Sequence, residues 1–261
     1  MIFRQLFDPE TSTYSYLLAD ESSREAVLID PVLEQLDRDA TLVRELELTL
    51  THTLETHVHA DHVTASGRLR ERLGSKVAVG AHSEVTNADV ELDDGERLRF
   101  GALALEVRTT PGHTRGCVSY VLHEARLVFT GDALLIRGCG RTDFQGGDAR
   151  RLFHSVRERI FTLPDDTQVH PGHDYKGRTM STVAEEKRFN ARLALDKSES
   201  DFVDIMQALD LAYPKRMDVA VPANLTSGLV LPEVIEEPGP VAHAMEQQGR
   251  QDSELHLGLG I

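Results

Sequence analysis

A chain of 261 residues, 40% of them hydrophobic, is long enough for one α/β domain plus an appendage, and its core needs no disulfide staples. The 28 Lys and Arg against 43 Asp and Glu leave a formal charge of −15, which opposes nucleic acid and anionic membranes as partners. Trp is absent and aromatics make up 5%, so aliphatic side chains must supply most of the packing.

Cys117 and Cys139 offer no disulfide framework and suit a reducing compartment. The first ten residues carry neither an apolar signal stretch nor an Arg-rich transit pattern. No apolar run reaches the roughly 18 residues a spanning helix needs, so the cytoplasm is the expected location.

In chain order, residues 2–7, 12–19 and 25–29 read as short strands, the third closed by the turn signal Asp30-Pro31. Leu33, Leu36, Ala40, Val43 and Leu46 recur at helical spacing, which predicts a helix over 34–46. Residues 48–55 alternate and are Thr-rich, as a strand requires. A helix over 67–73 stops at Gly74, and 76–80 reads as a strand. Strand-like runs follow at 103–107, 117–123 and 126–130. Leu152, Val156 and Ile160 form one stripe of a helix over 148–161. A short strand at 168–170 precedes Pro171-Gly172, and helical patterns return at 182–192 and 199–211. From about residue 236 the sequence is polar and rich in Pro and Gly, so a loosely held tail is expected. Two β-rich halves with interspersed helices suit a two-sheet sandwich with helices on both outer faces.

The chemistry concentrates in Thr56-His57-Val58-His59-Ala60-Asp61-His62, directly after a predicted strand. In an extended backbone residues i and i+2 face one side, so His57 and His59 are expected to point at one spot. A dense imidazole and carboxylate cluster at a strand end is what a metal site needs. Further ligands are expected on loops that also follow strands: Pro111-Gly112-His113, Thr130-Gly131-Asp132 and Pro171-Gly172-His173. Glycine beside each candidate lets the backbone approach closely. His52 reads as a strand histidine. His82, His123, His154, His243 and His256 lack such settings and read as structural or solvated, as does His170, though it sits three residues before His173.

With these elements in this order, the chain resembles the metallo-β-lactamase superfamily over roughly residues 1–195. The resemblance implies an αββα four-layer sandwich of α/β class, with metal at the edge where the sheets meet. The superfamily's full set places His57, His59 and His113 on a first metal and Asp61, His62 and His173 on a second, with Asp132 bridging. Every one of these is present, so ligand counting leaves one metal and two metals both open.

Residues 135–145, Leu-Ile-Arg-Gly-Cys-Gly-Arg-Thr-Asp-Phe-Gln, are similar to the signature of the persulfide dioxygenases. So are Pro171-Gly172-His173-Asp174-Tyr175, the run 185–193 and Val219-Ala220-Val221-Pro222-Ala223-Asn224, which extend the resemblance to about residue 226. Ala191 departs from it, standing where proline is expected. The resemblance implies one Fe(II) per chain held by His57, His113 and Asp132, with His59, Asp61, His62 and His173 supporting these ligands by hydrogen bonds. It implies oxidation of glutathione persulfide with O2 and water to sulfite and glutathione. Arg141, Tyr175 and Arg192 are its expected substrate-binding residues, with Arg137 a weaker candidate. The rival is a binuclear zinc hydroxyacylglutathione hydrolase of the glyoxalase II type. Cys139, between two glycines, reads as a packed residue and Cys117 as strand core. The expected organisation is a catalytic domain over 1–195, a packed C-terminal segment over 196–235 and a flexible tail over 236–261, with a homodimer consistent with the family.

Overall fold

The computed structural model describes residues 1–229; the expected tail, His243, His256 and the end of the expected C-terminal segment lie outside the described residues. Two six-stranded sheets form the centre. The first runs in the order β1 (Ile2–Asp8), β2 (Thr13–Ala19), β3 (Glu25–Ile29), β4 (Thr49–Leu54), β5 (Lys76–Gly80), β6 (Val90–Leu92). The second runs β12 (Ser181–Thr182), β11 (Gln168–Pro171), β10 (Leu127–Gly131), β9 (Val118–Leu122), β8 (Leu103–Thr109), β7 (Arg97–Phe100).

Strand alternation explains the layering. Along β2, Tyr14, Tyr16 and Leu18 face the second sheet, where they meet Phe100, Leu105, Tyr120 and Phe129. Leu17 and Ala19 point the other way, onto α1 (Leu36–Glu45) and α2 (Ser66–Leu73). Both faces are covered, so β2 is buried throughout its length. On the far side, Val121, Val128 and Val169 pack on Leu152 of α3 (Ala149–His154) and on Val156 and Ile160 of the π-helical turn Ser155–Ile160 that continues it. Val183 of α4 (Val183–Phe189) and Phe202 and Met206 of α5 (Glu199–Gln207) complete that layer. The result is the αββα sandwich.

The helices stop for local reasons. Gly74 ends α2 with φ +75°, as the glycine stop requires. The helix expected to reach residue 192 ends at Phe189, because the Asn190 side chain accepts from the Arg192 and Leu193 amides and takes over their hydrogen bonds. The helix expected to reach 211 ends at Gln207, and an irregular segment follows. Other elements were not anticipated. Strands β6, β7 and β12 are short and lie at sheet edges, and α6 (Met217–Asn224) is masked in the sequence by Pro222 inside it. No helix among the described residues is long and apolar enough to cross a membrane.

Helix α6 reaches back to the His57–His62 loop through one side chain. The buried Asn224 amide donates to the carbonyls of His59 and His62, both at 2.9 Å, and its oxygen accepts from the Thr64 amide at 2.9 Å. Replacing it strands three buried main-chain groups. Asn224→Ala is expected to cost about 2–4 kcal/mol, read as a lowered urea midpoint. An unchanged midpoint would mean that the loop holds its shape without this pin.

Candidate metal centre

Strands deliver every element of the centre. The loop after β4 carries His57, the turn after β8 carries His113, and β10 ends in Gly131 just before Asp132. Gly131 has φ +49°, and a Cβ there would collide with the Thr56 side chain. Gly140 packs against the site so closely that a Cβ would lie 2.7 Å from His113 Nδ1. Its own amide donates to the Asp132 carbonyl at 2.7 Å.

One ligand atom each from His57, His113 and Asp132 lies within 4.8 Å of the others. Hydrogen bonds fix which atoms are free. Thr56 Oγ1 donates its single proton to Asp30 Oδ2 at 2.8 Å, so it accepts from His57 Nδ1 at 2.9 Å, which leaves the lone pair on His57 Nε2. The Arg141 carbonyl can only accept, so His113 Nδ1 donates to it at 2.7 Å, and Nε2, 3.7 Å from Asp132 Oδ2, carries that ring's lone pair. Asp132 Oδ1 accepts from His173 Nδ1 at 2.7 Å. Burial pushes the Asp132 pKa up, but the imidazoles of His173, His113 and His57 outweigh it and hold the carboxyl well below its ordinary range. Burial, reinforced by its histidine neighbours, drives the His57 pKa well down, which keeps the ring neutral as a ligand must be. Two neutral imidazoles and one carboxylate form a donor set that fits Fe(II) or Zn(II).

The remaining members of the motif are committed to one another. His173 Nε2 bonds to Asp61 Oδ2 at 3.0 Å and lies 3.1 Å from Thr13 Oγ1. With a carboxylate at each nitrogen, His173 is raised well above its ordinary pKa although burial works against this. The two carboxylates thus favour its protonated form. Asp61 Oδ2 is also 2.9 Å from His62 Nδ1.

His59 differs from the sequence expectation. Residues 57–62 form no strand, so the two-residue alternation does not apply. His57 and His59 have ring centroids 4.0 Å apart, but His59 Nε2 turns to Asp30 Oδ1 at 3.2 Å and Glu55 Oε2 at 3.6 Å. Burial lowers its pKa, yet these carboxylates raise it to about 9. His59, Asp61 and His62 also converge within 4.8 Å, as do Asp30, Glu55 and His59. Both sets rest on an ion-paired His59.

The three free ligand atoms face a cavity of about 870 Å³. A separate cavity of about 290 Å³, behind the loop at Val58, Thr114 and Gln145, holds none of the triad. Five arginines and one lysine line the larger cavity. Arg137 is paired with Glu185 and Glu186, Arg141 with Asp143, Arg178 with Asp174, and Arg216 with Glu10 and Glu34. Arg192 donates to the Cys139 carbonyl at 2.9 Å, and among the described residues neither it nor Lys215 has a carboxylate partner. Tyr175 is 72% exposed and stacks on His173, with centroids 6.0 Å apart.

Cys139 is buried beside Met206, its thiol pushed up to about 11 by burial, and Cys117 is buried just before β9 with its thiol pushed up to about 12. His170 is buried among Phe3, Tyr16 and Phe129 and pushed down to about 4 by burial. Asp30, Thr56 and Thr13 escaped the sequence reading; Asp30 stood there only as a turn signal. Lys215 and Asn224 gave no local signal of their positions.

The Metallo-beta-lactamase superfamily model matches residues 8–173. Human mitochondrial persulfide dioxygenase ETHE1 is 53% identical over 89% of this chain and 91% of its own length, and the mouse protein is 51% identical over the same shares. The crystal structure of ETHE1 from Myxococcus xanthus superimposes with a TM-score of 0.85 at 56% identity, covering 87% of this chain and all of that one. A more distant neighbour, TTHA1623 in a di-iron-bound form, has a TM-score of 0.62 at 30% identity, covering 72% of this chain and 98% of that chain. Triad, fold and sequence identity agree: this chain belongs to the metallo-β-lactamase superfamily and, within it, to the persulfide dioxygenases.

Proposed function

We propose that this chain is a mononuclear iron persulfide dioxygenase acting on glutathione persulfide. The net reaction consumes the persulfide, O2 and water and yields glutathione, sulfite and two protons. The observation that carries this reading is the convergence of one ligand atom each from His57, His113 and Asp132 within 4.8 Å, in a chain 53% identical to human persulfide dioxygenase ETHE1.

His57, His113 and Asp132 would hold the ion through one donor atom each. Bound there, Fe(II) supplies redox chemistry at a centre that brings sulfur and O2 together. The protein's own residues do the rest. Thr56 and the Arg141 carbonyl fix the two ligand rings. His173 Nδ1 donates to Asp132 Oδ1 at 2.7 Å and so orients the carboxylate, leaving Oδ2 as the atom that would hold the ion. Tyr175 covers His173 at the cavity wall. Arg192 and Lys215, free of carboxylates, suit the carboxylates of an anionic tripeptide despite the chain's acidic balance. Iron also suits a fold whose neighbour TTHA1623 was crystallised in a di-iron-bound form.

Elemental analysis of anaerobically purified protein is expected to give about one iron per chain, with O2 uptake and sulfite release on adding glutathione persulfide. Two zinc ions per chain with thioester hydrolysis would establish the hydrolase instead. Asp132→Ala is expected to lose its iron; full metal content in that variant would refute the ligand assignment. His173→Gln should keep the fold but bind iron about 10–100-fold more weakly, measured by chelator competition. Unchanged affinity would show that Asp132 needs no such partner.

A further inference from the structure

The connection from α5 to α6, residues 208–216, has no regular structure and crosses the mouth of the metal cavity, which it lines through Leu211, Ala212, Pro214, Lys215 and Arg216. Little main-chain bonding holds it. Among the described residues, no amide from 210 to 216 donates to another main-chain carbonyl. Leu209 packs against the core at the segment's start, but Leu211 and Tyr213 in its middle are exposed.

At the segment's C-terminal end Arg216 pairs with Glu34 at 2.7 Å; across its middle, Arg141 supplies the attachment. Its Nη1 donates to the Ala212 carbonyl at 2.8 Å and its Nη2 to the Leu211 carbonyl at 3.4 Å. Nε and Nη2 of the same guanidinium grip the Asp143 carboxylate at 2.6 and 2.7 Å, which fixes the plane of the fork. Its flat face lies 4.5 Å over the Phe144 ring, and Phe144 meets Tyr213 edge-on at 5.5 Å. The Tyr213 hydroxyl then donates to Asp218 in the first turn of α6 at 2.6 Å. At its other end, the Arg141 main-chain carbonyl accepts from His113 Nδ1 at 2.7 Å. A single residue thus touches both the strap and a metal ligand.

We propose that Arg141 is a positioning residue that latches the 208–216 strap over the cavity and ties the closed strap to the orientation of His113. It is not the main cation that reads a substrate carboxylate, because four of its five N–H donors are already spent on Asp143 and on the strap and its charge is paired with Asp143. That task falls to Lys215, which the latched strap holds at the cavity wall, and to Arg192. The substrate part of this inference rests on the persulfide dioxygenase reading; the latch does not.

Asp143 separates the two roles, since it holds Arg141 but does not line the cavity. If Arg141 is a latch, Asp143→Asn loosens it. Tryptic cleavage after Lys215 or Arg216 in the iron-loaded enzyme then speeds up about tenfold, and KM for glutathione persulfide rises several-fold, more than kcat falls. Arg141→Met gives the same pattern with larger changes, whereas Lys215→Met raises KM without speeding cleavage after Arg216. If Arg141 were a substrate cation, Asp143→Asn would free it, KM would fall and strap cleavage would not change; that result overturns the proposal. Unchanged strap cleavage in Arg141→Met overturns it equally. The cleavage readout stands even if wild-type enzyme makes no sulfite, so failure of the latch and failure of the assigned reaction remain distinguishable.

Discussion

The centre depends on one constraint: each ligand must present a single free donor to a common point, and a buried polar side chain does so only when its other polar atom is held. Thr56 holds His57, the Arg141 carbonyl holds His113, and His173 holds Asp132. Behind Thr56 stands Asp30, whose other oxygen accepts the Thr56 amide at 2.7 Å, and behind His173 stands Asp61. These supports sit at strand ends and loops of both sheets, so the packing of the sandwich sets the geometry of the ion site. In a water-excluded setting such hydrogen bonds are stronger than at the surface, and leaving any of them unmade is correspondingly costly.

The same network separates charge. Facing carboxylates favour the protonated forms of His59 and His173, while burial and histidine neighbours favour the neutral form of His57. The motif therefore divides into ligands and counter-charges, although its members are chemically alike and lie within a few residues of one another. The division follows from which side of the loop each ring faces: His57 looks into the cavity, and His59 looks back into the sheet towards Asp30 and Glu55.

Around the mouth, an acidic protein assembles a cationic wall and then neutralises most of it with its own carboxylates. Paired arginines are held in place and shape the cavity. The two cations without carboxylate partners, Arg192 and Lys215, are those best suited to an anionic ligand. One comes from the turn after α4 and the other from the strap, so specificity and closure share an element.

The sequence by itself determined the layers and the ligand types. Alternation along residues 48–55 and helical spacing at 34–46 and 148–161 are local signals, because burial on a sheet face or helix stripe repeats with the backbone period. The motif 57–62 and the Gly-flanked turns before His113, Asp132 and His173 were legible because metal ligation demands specific residue types next to tight turns. The tertiary structure alone decided which histidines face the ion, that Asp30 orients His57 through Thr56, that Asn224 pins the loop from about 160 residues away, and that Arg141 spans ligand and strap. Those are contacts between segments distant in the chain. Direction of a side chain within an irregular loop has no period, and a hydrogen-bond partner brought in by packing leaves no mark on the local sequence.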